Sequence, residues 1–134
     1  MNNVRRTMLL VASACGFVLG WVLPVLDDYR GWQAFRVALS PVWPYENFGF
    51  AAWYDAALTV ASGLTNAVFI AVFLAVIFWR STSTRLVGWV LIVATLMNLH
   101  WLARAGPDFV DLRVGYYVWL LSFPLLALAA RARS

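Results

Sequence analysis

The chain has 134 residues, of which 63% are hydrophobic, 16% aromatic and only 12% charged, with a formal net charge of +4 and a mean hydropathy of +0.77. Soluble domains carry about 25% charged residues, so this chain lacks the polar surface that a water-soluble enzyme, a disordered tail or a nucleic-acid-binding domain needs. The composition is that of an integral membrane protein.

A helix needs about 20 apolar residues to cross roughly 30 Å of hydrocarbon. Residues 7–26 form the first such run, uninterrupted by any ionisable side chain other than Cys15. The apolar stretch between Arg6 and the small residues Ala12-Ser13-Ala14 is too short for a signal-peptide core. The run is therefore expected to remain as a span. Ala12, Gly16 and Gly20 recur at spacing four and make a ridge that another helix backbone can approach closely. Pro24, placed inside this run, would leave the Gly20 carbonyl without its helical donor.

Residues 27–55 form a long connection rich in Trp, Tyr and Phe. Within it, Trp32, Phe35 and Leu39 fall on one helical face, with Gln33 and Arg36 off it. This pattern predicts a short amphipathic helix over 32–40, lying at the membrane interface and ended by Pro41.

The second run, 56–79, carries another small-residue ridge at Gly63, Ala67, Ala71 and Ala75, predicted to face the first. It also holds Thr59, Ser62, Thr65 and Asn66. The connection Arg80–Arg85 is short and polar, so the third run, 86–102, should fold back antiparallel. Asn66 and Asn98 each lie 13 residues from an edge of that connection, Trp79 and Arg85, which predicts an amide–amide hydrogen bond at one depth. His100 is the only histidine; it is expected at the interface, bonded to a loop, with a proton relay through Asp108 or Asp111 as the sharper alternative.

Gly106-Pro107 stops the third helix. Arg104, Asp108, Asp111 and Arg113 then form a polar cluster that either caps the fourth span or serves a function. That span, 114–130, opens on Tyr116, Tyr117 and Trp119, and Pro124 inside it removes the donor to the Leu120 carbonyl.

All ten basic residues are arginines, and they border the apolar runs. Arg5, Arg6, Arg80, Arg85, Arg131 and Arg133 would share one side with no acid, against Arg30, Arg36, Arg104, Arg113 and all six acids on the other. By the positive-inside rule the first side is cytoplasmic. The expected architecture is an all-α bundle of four transmembrane helices in a single domain, both termini inside, in a bacterial inner membrane.

The single cysteine excludes dithiol chemistry. No nucleophile–base pair, phosphate loop, metal-ligand spacing or cofactor fingerprint is present, so no catalytic residue, metal or cofactor is assigned. The leading expectation is a protein that acts by binding, as an accessory, immunity-like or assembly factor for a membrane partner. Gly16, Gly20, Gly63 and Ala67 are expected to pack helix on helix within the chain, with homodimerisation through the first-span ridge as the functional alternative. The alternative is a binder or carrier of a small hydrophobic, aromatic or lipid ligand in the outer half of the bundle. Its site residues would be Trp53, Asn66, Asn98, His100, Tyr116 and Tyr117. A homo-oligomeric pore ranks last, because residues 67–79 offer no polar path.

Overall fold

The computed structural model describes residues 3–46, 49–50, 52–78, 84–104 and 112–131. In chain order it contains α1 (Asn3–Val22), β1 (Pro24–Leu26), β2 (Tyr29–Arg30), α2 (Gly31–Ala38), α3 (Trp53–Phe78), α4 (Thr84–Asn98), α5 (His100–Arg104) and α6 (Val114–Arg131). Four helical stretches, Asn3–Val22, Trp53–Phe78, Arg85–Ala103 and Val114–Arg131, are long and apolar enough to cross a membrane. This agrees with a helical membrane protein of four spans.

α6 is the central helix. Over its spanning window 56% of residues are buried, against 17% for α1. It packs mainly on α1 and α4, while α3 meets α4 and the short α2. Small residues at Ala127, Ala129 and Ala130 let neighbouring helices close around it. The core between them is Phe17, Phe69, Leu91, Phe123 and Leu126. At one end of the bundle, Arg6 Nη2 donates to the Val76 carbonyl (3.0 Å), and Gly88 of α4 lies against the Arg131 side chain of α6. The start of α1, the end of α3, the start of α4 and the end of α6 thus gather there. The β-hairpin and α2 lie at the opposite end.

The first helix stops at Val22, not at residue 26. Pro24 ends it by opening an antiparallel hairpin, turned through Asp27 at φ 48°. Pro24 therefore does not lie inside a helix. The Gly20 carbonyl is instead covered by Gly31, where any Cβ would overlap it. Leu112 and Arg113 join the same layer, with the Arg113 N–H donating to the Val25 carbonyl (3.0 Å).

The two small-residue ridges do not face each other. Gly16 packs on Val118 and Ser122 of α6, and a Cβ on Gly20 would collide with Trp119. Gly63 packs on Ala38 and Leu39, at the end of α2. Ala12, Ala67 and Ala71 are exposed. Where α1 and α3 do meet, Phe17 and Phe69 stack with ring centroids 4.2 Å apart and planes 2° from parallel. Two phenyl rings occupy the space that the expected backbone contact would have required.

The short helix is found, but its buried face is rotated from the one expected. Val37 and Ala38 are buried, whereas Trp32 is 48% exposed and Phe35 and Leu39 are half-buried. It ends at Ala38, before Pro41, and Ser40 Oγ donates to the Val37 carbonyl (2.7 Å).

The third span breaks at Leu99, between α4 and α5. The Leu102 N–H turns to the Leu99 carbonyl (3.0 Å) instead of reaching Asn98. Two side chains take over nearby carbonyls. Tyr116 Oη donates to the Asn98 carbonyl (2.7 Å), and His100 Nδ1 lies 2.6 Å from the Met97 carbonyl. A carbonyl only accepts, so His100 Nδ1 carries the proton.

Candidate functional site: an aromatic cavity at the hairpin end

The helices leave an open-mouthed cavity at the hairpin end. Trp21 of α1, Phe35 of α2, Trp101 of α5, and Tyr116 and Trp119 of α6 supply rings to its wall. Gly31, Ala34, Ala38 and Gly63 line the α2 and α3 side, where the small residues leave the space unfilled. Among the described residues, Ser62 and Asn66 of α3 are the polar lining residues besides Tyr116 and the three indoles, and no charged side chain lines the cavity.

Behind this wall lies a hydrogen-bonded cluster. Asn98 is fully buried. Its Oδ1 accepts from Ser62 Oγ (2.7 Å), and its Nδ2 donates to Thr65 Oγ1 (3.0 Å). Trp101 Nε1 donates to Ser62 Oγ (3.0 Å). Trp119 Nε1 donates to Asn66 Oδ1 (2.9 Å), and Asn66 Nδ2 donates to the Gly63 carbonyl (3.0 Å). Each indole is thereby fixed by one side chain of α3. In a dry interior such bonds matter because an unpaired polar group there is costly.

The expected Asn66–Asn98 pair is replaced by this arrangement. The two amides are held separately, Asn98 by Ser62 and Thr65, and Asn66 by Trp119 and the Gly63 carbonyl. Asn66 and Tyr116 line the cavity, and Asn98 supports it from behind. His100 packs beside Trp101, with ring centroids 4.7 Å apart, and does not line the cavity. Trp53 is 81% exposed and Tyr117 is 45% exposed; neither contributes to the wall. In the predicted outer polar cluster, Arg113 is exposed, while Asp108, Asp111 and the side chain of Arg104 lie outside the described residues. The sequence reading missed Trp21, Phe35, Trp101 and Trp119. Their signal was the spacing of Trp21 four residues after Phe17, and of Trp119 three after Tyr116, which places each ring on the buried side of its helix.

Outside the spans, the connection after α2 is fastened down by two contacts. Tyr29 Oη donates to Glu46 Oε2 (2.7 Å), and the Arg36 guanidinium lies 3.4 Å from the Trp43 ring centroid and 5.2 Å from that of Tyr45. The hydrogen bond to Glu46, then desolvation and nearby negative charge, push the Tyr29 phenol above its ordinary pKa.

Comparison with family models, with curated proteins and with solved structures returned no match. The functional reading therefore rests on the cavity itself.

Proposed function

We propose that this protein binds a small, uncharged, mainly apolar ligand in the aromatic cavity at the hairpin end of its bundle. The observation that carries this reading is a cavity to which, among the described residues, five aromatic side chains and no charged side chain contribute. Ligand sites are concave and mostly apolar, with a few placed polar groups, and Asn66 and Ser62 are such groups here. By the arginine count, six against four, the hairpin end faces outward and both termini face the cytoplasm of a bacterial inner membrane. The site would then draw its ligand from the outer leaflet.

Native mass spectrometry of the protein, gently extracted from its own membrane, tests this. A retained lipophilic mass at one per chain is expected, and its loss in Ala34→Leu, which fills the α2 side of the cavity. A bare chain mass from freshly extracted protein overturns the reading.

A second reading, recognition of a membrane partner, draws on one observation. Ala67 and Ala71, small residues of the kind that admit close helix approach, stand exposed on α3. A co-purifying polypeptide in the same spectrum would favour it.

A further inference from the structure

Resting on the cavity reading above, we infer that the ligand carries a hydrogen-bond acceptor on a flat ring, as a neutral quinone or aryl ketone does, and that Asn66 is the residue that recognises it. The donors in the wall are nearly all committed to the protein. The indole N–H of Trp101 is spent on Ser62, and that of Trp119 on Asn66. The Ser62 hydroxyl donates to Asn98, and the Tyr116 hydroxyl to the Asn98 carbonyl. Asn66 differs. Its amide nitrogen carries two hydrogens, one of which goes to the Gly63 carbonyl. The second is not used by these bonds. Among the described residues the Trp21 indole N–H is the other wall donor without a bond, but Trp21 is only half-buried, whereas Asn66 is 7% exposed and so closed to bulk water. A ligand that offers a carbonyl satisfies that hydrogen, whereas a plain hydrocarbon leaves it unmatched.

Charge selects in the same direction. Among the described residues the wall holds no counter-charge for a carboxylate or ammonium, and the neutral groups there do not offset the desolvation cost of one. Shape is set by the rings. Trp21, Phe35 and Trp119 offer aromatic surface, on which a flat π-system gains more than a flexible chain of equal area. Opposite them, Gly31, Ala34 and Gly63 leave room without adding any polar group.

The test is a titration of the isotope-labelled protein in nanodiscs, reading its indole N–H resonances, with a decyl-tailed benzoquinone and separately with decylbenzene. The Trp119 resonance is the reporter because its N–H is bonded to Asn66. The quinone is expected to move it saturably at a concentration about tenfold lower than decylbenzene, the ratio that one net hydrogen bond of about 1.4 kcal/mol supplies. In Asn66→Leu that preference should vanish while decylbenzene still binds. Equal midpoints for the two probes on the unmodified protein overturn the carbonyl assignment and leave the apolar cavity standing. If neither probe moves the Trp119 or Trp21 resonances, the assignment fails together with the cavity reading. The comparison of probes on unmodified protein needs no variant to fold.

Discussion

Tyr116 of α6 donates its hydroxyl to the main-chain carbonyl of Asn98 across 2.7 Å, at the point where α4 gives way to α5. The bond converts a break in the third span into a joint fixed to the central helix. Both residues are at or below 1% exposed, so the carbonyl has no water to fall back on. Tyr116→Phe is expected to destabilise the fold by about 1 kcal/mol. Unfolding in mixed micelles of rising denaturing-detergent fraction measures this. A variant as stable as the parent would show that the carbonyl is satisfied some other way.

Asn98 should be the more sensitive position, because its amide joins Ser62 and Thr65 while its carbonyl takes Tyr116. Asn98→Ala leaves two hydroxyls of α3 without that partner. The expected loss is about 2–3 kcal/mol, larger than for Tyr116→Phe in the same assay.

The contact between α1 and α6 predicts a contrast between glycines. A Cβ at Gly20 falls on Trp119, where backbone as well as side chain is in the way. Gly20→Ala should cost about 1–3 kcal/mol, through overpacking, and should disturb the Trp119 indole. At Gly88 the nearest atoms belong to the flexible end of Arg131, so Gly88→Ala should be near neutral or slightly stabilising. Equal effects at the two sites would contradict the packing described.

The Tyr29–Glu46 contact predicts a direction of pH dependence. The phenol is raised in the folded chain, so its protonated form is favoured by folding. That contribution is complete below the ordinary tyrosine value of about 10 and is lost as pH rises through the raised value. Ultraviolet difference titration of the parent against Glu46→Gln should show one phenol ionising earlier in the variant. Identical titrations of the two would remove Glu46 as the cause.

The four spans were legible because length and apolarity alone decide them, and no local signal competes. The partners of each face were not. Spacing four identified Gly16 and Gly20 as close-approach positions, but any neighbouring helix can use such a ridge, and α6 does so rather than α3. The depth match between Asn66 and Asn98 followed from loop length. Which hydroxyls and indoles would intervene depends on helix rotation, which a few degrees can change. The hairpin was hidden because Pro24–Leu26 reads as the end of an apolar helix until Asp27 takes a positive φ. For the site, Asn66 and Tyr116 were accessible from residue type. Trp101 and Trp119 were not, since an amphipathic ring near a helix end can anchor at the interface or line a site.

The most direct test of the central claim is a crystal structure of the protein grown from its own membrane lipids in a lipid mesophase. The account predicts continuous non-protein density in the cavity between Trp21, Phe35 and Trp119, reaching the Asn66 amide, with the Trp119–Asn66 hydrogen bond intact. A cavity closed by a rotated Trp119 ring, with that bond lost and no density beside Asn66, would contradict it.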